Sequence, residues 1–414
     1  MSSPFPEGPY AALKIPDFRL FISVRFCITL AIQIQSVVVA WQVYEITNDP
    51  LSLGLIGLAE AIPSIAVSLY AGHLADVVQR KKIIVFCITT LLMCSLTLLF
   101  FTVTPGKAFL QYGIIPIYSV IFVSGIARGF LSPAFFSFMP QLVPRELYAN
   151  AVTWNSTLWE TAAISGLAFG GLLYGIFGIT TAYVIDVLLT FVGLALVTTV
   201  SNKPIPPITT EDGVVEKIKA GLRFVFNNKI ILGAITLDLF AVLFGGAVAL
   251  LPIFAKEILH IGPIGLGILR AAPSFGALIM AFYITHNPIQ KNTGKILLSC
   301  VAGFGICMIL FALSTHFWLS LLLLIASGGF DCISVIIRTT LLQTLTPENI
   351  KGRVSAVNHI FVGSSNEIGM FESGVAARIM GAVPSVIFGG CMTLLVVGFT
   401  GWFAKSLRQL QKVH

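Results

Sequence analysis

Charge is what this chain has least of. Of its 414 residues, 56% are hydrophobic and only 10% are Asp, Glu, Lys or Arg. A water-soluble domain carries about 25% charged residues, so a soluble enzyme or binding domain is excluded. Catalytic signatures are missing as well. There is no His-Glu-x-x-His, no Walker glycine loop and no Gly-x-Ser-x-Gly, which ranks an intramembrane enzyme low. No Cys-x-x-Cys pair occurs. Cys27, Cys87, Cys94, Cys300, Cys307, Cys332 and Cys391 all fall in apolar segments and read as buried thiols. No secretory signal leads the chain; the first apolar run, from near Phe18, is too long for one and reads as a retained helix. No cofactor and no metal are implied. The net charge of +7 reads as basic loops of an inner-membrane protein, with no nucleic-acid partner.

What the chain has in abundance is apolar segments of the length that crosses a bilayer, about 20 residues each. Twelve are expected, over 18–45, 51–74, 83–104, 113–138, 150–174, 178–200, 230–255, 262–285, 295–314, 317–342, 354–377 and 381–404. Most lysines and arginines then fall on one side: Lys14, Arg19, Arg80 to Lys82, Arg145, the bases from Lys203 to Lys229, Lys291, Lys295, Lys351, Arg353, Lys405, Arg408 and Lys412. The other side holds only Lys107, Lys256 and Arg378. This bias puts both termini in the cytoplasm.

One long polar link, 201–229, separates two stretches of six segments. Pro204, Pro206 and Pro207 stop the sixth. From Glu211 to Asn227, Val215, Ile218, Leu222 and Val225 share a helical face, as expected of an amphipathic linker helix on the membrane surface. The expected domains are therefore a six-helix bundle at 1–200, the linker at 201–229 and a second bundle at 230–414. The two bundles repeat each other. Glu60-Ala61-Ile62-Pro63-Ser64 recurs as Arg270-Ala271-Ala272-Pro273-Ser274. Gln141, Pro144, Ala151-Val152 and Asn155 are echoed by Gln343, Pro347, Ala356-Val357 and Asn358.

Seven acids fall inside the expected spans: Glu60, Glu160, Asp186, Asp238, Asp331, Glu367 and Glu372. Arg25, Arg128, Arg270 and Arg338 join them. Each would cost about 2.5–3.5 kcal/mol at a lipid-facing helix centre. They must therefore pair, line a cavity or sit protonated. So many interior charges favour a transporter. A carboxylate removed from water binds a proton more readily, which makes Glu60, Glu160 and Glu367 candidate carriers of protons or cationic substrate. Asp331 and Arg338 lie two turns apart on one helix face, to pair through a neighbour or to meet different helices. Asp186 and Asp238 are expected nearer helix ends, in capping or packing roles.

The stretch Gly72-His73-Leu74-Ala75-Asp76-Val77-Val78-Gln79-Arg80-Lys81 is a charged turn between two apolar segments. It resembles motif A of the major facilitator superfamily. Gly72, Leu74, Asp76, Arg80 and Lys81 match; Val77 and Gln79 replace a base and a glycine. Gly125-Ile126-Ala127-Arg128-Gly129 resembles motif B, which the family associates with proton coupling. Gly166-Leu167-Ala168-Phe169-Gly170-Gly171 resembles the antiporter motif C, with Ala162 and Leu167 in place of a glycine and the proline; packing of small residues also explains it. The runs Leu250-Leu251-Pro252-Ile253-Phe254-Ala255 and Lys351-Gly352-Arg353-Val354-Ser355-Ala356-Val357-Asn358 look like one branch of the drug:proton antiporters. That branch holds the macrolide efflux proteins and the enterobactin (siderophore) exporter.

The resemblance implies an all-α polytopic membrane protein, with twelve transmembrane helices as two six-helix pseudo-symmetric halves. It implies a monomer in the bacterial inner membrane, exporting a small amphipathic molecule by alternating access against protons. It places Gln33, Gln35, Trp41, Asp238 and Phe244 among cavity-lining candidates. Glu60, Arg128, Glu160, Arg270, Asp331, Arg338 and Glu367 become candidates for proton coupling or substrate, with Arg270 near Glu160. Gly72, Asp76, Arg80 and Lys81 would form a conformational latch, with Asp76 against the helix start after Arg353. A lysophospholipid flippase, a metal-ion exporter or a non-transporting sensor on the same scaffold stays open.

Overall fold

The computed structural model describes residues 10–103, 113–204, 222–245, 247–287, 291–347 and 351–410. Among them every regular element is a helix. The long helices are α1 Pro16–Thr47, α2 Pro50–Val77, α3 Arg80–Val103 and α4 Ile115–Phe138. A run over Tyr148–Thr199 is broken at Gly178 into α5 (148–177) and α6 (179–199). Then follow α7 Lys229–Phe244, α8 Gly262–His286, α9 Thr293–Leu313, α10 Phe317–Leu345, α11 Lys351–Met380 and α12 Ala382–Phe403. Ten stretches of the described residues are long and apolar enough to cross a bilayer, α5 and α6 counting together as one of them. The helix α11 has the length, yet Glu367, Glu372 and its many polar residues keep it out of that set.

The breaks have local causes. Gly178 has φ 81° and ψ 169°, and Gly381, between α11 and α12, has φ 92° and ψ 159°. A side chain would be strained in that region, so glycine turns the chain there in place of a longer loop. Pro63, Pro133 and Pro273 sit inside α2, α4 and α8 without ending them. The seventh apolar segment departs from expectation. It is not one helix over 230–255: α7 stops at Phe244, a 3-10 turn covers Ala247–Leu250, and a π turn covers Phe254–Ile258. Gly245 lies against the Phe304 ring, where a Cβ would not fit, and Pro252 has no N–H to continue an α-helical ladder.

The chain forms two compact units. The first comprises Met1–Gln42 and Ala59–Thr210. In it α3 packs on α4 and on the α5–α6 run. Phe18, Phe21, Ile84, Ile88, Phe135 and Phe138 are its buried centre. Glycines set its closest crossings. A Cβ on Gly125 would meet the Glu60 carbonyl of α2 at 2.5 Å, and one on Gly170 would meet Ile34 of α1 at 3.1 Å. Close approach through small residues is how helices associate in lipid.

The second unit comprises Val43–Leu58 and Glu211–His414. In it α10 packs on α8 and α9, α9 on α12, and α7 on α11 and α12. The joint between α1 and α2 belongs to this unit. Of the expected amphipathic linker helix, 222–227 is helical and the rest lies outside the described residues. Val225 is buried with Ile231, Ile235, Val354 and Val357, so this end of the helix packs on protein where a membrane surface was expected. The cysteines are free; Cys391 is exposed, contrary to the expectation of a buried thiol.

Large apolar side chains face outward, among them Phe86, Phe136, Trp318 and Trp402. Exposed in water, such a surface would drive aggregation; against acyl chains it is the solvated face.

Candidate functional site

In the first unit the α2–α4 crossing brings two charges together. Gly125 and Gly129 let α4 lie against the α2 backbone at Glu60 and Ser64. Arg128, between those glycines, forms an ion pair with Glu60. Their side chains are 35% and 24% exposed, so the pair keeps contact with solvent-accessible space. Arg128 is thus paired with an acid of the neighbouring helix.

A second polar group lies deeper in the same unit. Asp186 of α6 is 1% exposed. Gln35 of α1 donates its amide Nε2 to Asp186 Oδ2 at 3.3 Å and lies 3.5 Å from the Ser95 hydroxyl of α3. The Tyr183 hydroxyl donates to Gln42 Oε1 at 2.7 Å. Gln35 therefore points into the bundle, while Gln33, two residues earlier on α1, faces Gly166 of α5. Trp41 is buried edge-on to Tyr174, in a packing role. Asp186 stands well inside a helix, so of the capping and packing roles expected of it, capping does not hold.

The second unit carries a more buried ion pair. Asp238 of α7 and Arg338 of α10 form an ion pair whose side chains are only 7% and 4% exposed. Asp238 is also mid-helix. Asp331, two turns before Arg338 on α10, is exposed. Asp238 and Asp331 line one cavity with Val242, Phe304, Phe330 and Ser334. The volume open to water centres there is ≈ 20 Å³, enough for about one water molecule. So Arg338 pairs with the neighbouring helix, and Asp331 stands across a small cavity from that pair. Phe244 stacks on Phe240 and meets Phe388 edge-on.

Sequence reasoning missed a further polar group in this unit. The Tyr44 hydroxyl donates to Glu257. Lys256 donates to Asn48 Oδ1 at 2.7 Å and lies over the Tyr44 ring at 5.2 Å. Arg378 is 3.8 Å from Asp49. The signal was present: Lys256 and Arg378 are two of the three bases on the sparsely charged side. Glu367 of α11 faces Gly57 in the same unit.

Of the motif A residues, Lys81 donates to the Thr198 and Val200 carbonyls, at 2.8 and 2.5 Å, at the end of α6. A base there completes orphan carbonyls and suits the negative end of the helix dipole. Gly72 and Asp76 are helical, but their side chains and the 348–350 stretch lie outside the described residues, and with them the Asp76 latch. Arg80 begins α3. Glu160 is exposed on α5. Glu160 and Arg270 belong to different units.

The family model described as "Transmembrane secretion effector" matches residues 7–413. The chain belongs to this family. It is a major facilitator superfamily transporter related to siderophore and macrolide exporters, and a multi-pass protein of the bacterial cytoplasmic membrane. The family and the fold support transport of a small molecule across the bilayer. Its relatives include the enterobactin exporter EntS of Salmonella choleraesuis strain SC-B67, 25% identical over 396 residues, covering 92% of each chain. EntS of Escherichia coli O1:K1 / APEC is 24% identical over 389 residues, covering 92% of this chain and 90% of that one. Among solved structures, a bacterial homologue of the iron transporter ferroportin, inward-facing, superposes with TM-score 0.73 at 13% identity, over 96% of this chain and 99% of that one. A POT family transporter bound to 5-aminolevulinic acid gives 0.72 at 11%, over 94% and 96%. Both likenesses are of fold.

Proposed function

We propose that this secretion effector exports a small amphipathic molecule, a siderophore or a macrolide-like compound, by proton antiport with alternating access. The observation that carries the reading is the buried Asp238–Arg338 pair with Asp331 across a cavity of one water's size. Asp331 lines the cavity and receives the proton. Passing it across the cavity to Asp238 neutralises that carboxyl and releases Arg338, so protonation is tied to the packing of α7 on α10. The interruption of α7 at Gly245 lies one to two turns from Asp238 and lets the helix respond. Glu60 and Arg128 form a charge pair in the first unit.

The architecture is read as twelve spans in two parallel copies, with both termini cytoplasmic and the chain acting as a monomer. Recurring contacts support the copies. A glycine crosses each proline-bearing helix, Gly125 at Glu60 and Pro63 and Gly328 at Pro273, and a positive-φ glycine ends each fifth helix. The domain boundaries 1–200, 201–229 and 230–414 follow from the same reading. Export of a siderophore rests on the kinship to the enterobactin exporters. Neither a flippase nor a metal-ion exporter is favoured by a specific observation.

The test is efflux from proteoliposomes loaded with radiolabelled enterobactin, or in parallel a radiolabelled macrolide, with and without an imposed pH gradient. Gradient-driven efflux of one probe is expected in the wild type. Asp331→Asn should lose the gradient dependence and keep equilibrative exchange. Efflux indifferent to the gradient in the wild type overturns antiport, and transport of neither probe overturns the substrate class.

A further inference from the structure

Asp186 is a carboxyl that the proposed proton path does not use. It is 1% exposed, inside the first unit, where α1, α3 and α6 meet. What faces it is neutral. From α1 comes the Gln35 amide, at 3.3 Å. From α3 come the Ser95 hydroxyl and, in its electrostatic reach, the Cys94 thiol. From α6 itself comes the Tyr183 phenol, which spends its proton on Gln42. Among the described residues no lysine, arginine or histidine pairs with it. This is unlike Glu60 and Asp238, each of which has an arginine.

An ionised carboxylate in such a place would be stabilised by one long amide hydrogen bond and little else. Burying an unpaired charge costs far more than neutral donors return, and the group neutralises instead. A carboxylic acid fits the same contacts well. One oxygen accepts from Gln35, and the protonated oxygen has a donor to offer to the oxygens around it.

We propose that Asp186 is a proton-binding site within the N-terminal bundle, occupied as a neutral carboxylic acid bridging α1, α3 and α6. It releases its proton only when these helices part enough to admit water. The site is a property of this carboxyl and stands whether or not a proton gradient drives export.

Infrared spectra of the protein in lipid, compared between wild type and variants at one neutral pH, read the site directly. The wild type should show the carbonyl stretch of a protonated acid. Asp186→Asn should lose that band, Ser95→Ala should shift it, and Glu60→Gln should leave it in place. An identical carboxylic-acid signature in wild type and Asp186→Asn overturns the proposal. Thermal stability gives a second reading that needs no band assignment. Asn reproduces one acceptor and one donor, as the neutral acid does, so Asp186→Asn should melt near the wild type. A variant that fails to fold, or melts far lower, would mean that an ionised carboxylate was required, and overturns the proposal as well.

Discussion

Gly54 of α2 and Gly374 of α11 touch backbone to backbone. A Cβ on Gly374 would stand 2.9 Å from the Gly54 Cα and 3.0 Å from the Pro50 carbonyl. The start of α2 is thereby seated on α11, in one compact unit with the polar group of Tyr44, Glu257, Lys256 and Asn48. Overfilling a tight contact costs about 1–3 kcal/mol. Gly374→Leu is expected to lower the melting temperature of the purified protein by several degrees and to raise thiol labelling of a cysteine placed at Asn48. An unshifted melting curve with unshifted labelling would refute the seat.

Two ion pairs described in the second unit should behave oppositely. Arg378 is 59% exposed and 3.8 Å from Asp49. Exposed pairs contribute about 0–1 kcal/mol, so Arg378→Ala should hardly move stability. Removing one partner of a buried pair costs about 3–5 kcal/mol, because the other charge is left behind. Arg338→Ala should therefore be severe, and Asp238→Asn with Arg338→Gln together should be milder than the sum of the single changes. Thermal or denaturant unfolding in detergent measures all five variants. Equal losses for Arg378→Ala and Arg338→Ala would contradict the burial seen here.

Glycines in the helices divide into two classes. A Cβ on Gly328 would overlap the Pro273 carbonyl, and one on Gly276 the Ile325 carbonyl. Neither neighbour is a side chain that can swing away, so Gly328→Val and Gly276→Val should abolish folded protein in membranes. Nothing lies within 4 Å of a Cβ on Gly363 or Gly398. There alanine should be neutral or stabilising by up to about 1 kcal/mol, the propensity difference in a helix interior. Size-exclusion yield and melting temperature separate the classes.

Gly178 and Gly381 lie at φ 81° and 92°, with nothing within 3.4 Å of a Cβ on either. Only backbone strain opposes a side chain, at about 1–3 kcal/mol. Alanine at either position should destabilise by that amount without blocking insertion. A loss of all folded protein would point to packing instead.

Much was legible from the chain alone. Most of the spans, the repeat of Glu60–Ser64 in Arg270–Ser274 and the presence of buried charges follow from one-dimensional facts: hydropathy over about 20 residues, proline and charge in register. Backbone hydrogen bonds must close within a segment in lipid, so an apolar run that long is bound to be helical. The small residues of Gly166-Leu167-Ala168-Phe169-Gly170 announced close packing, and they pack on α1.

Partnership was decided only in three dimensions. Asp186 and Asp238 look alike in sequence, each a lone acid among apolar residues. Folding gives Asp238 an arginine a hundred residues away on α10, and gives Asp186 an amide and a hydroxyl. The break in α7 after Phe244, where Gly245 lies against the Phe304 ring, likewise shows only in the fold. Hydrophobicity is additive along a chain and can be read there. The state of a buried charge depends on what stands within a few ångströms of it, and those neighbours come from other helices.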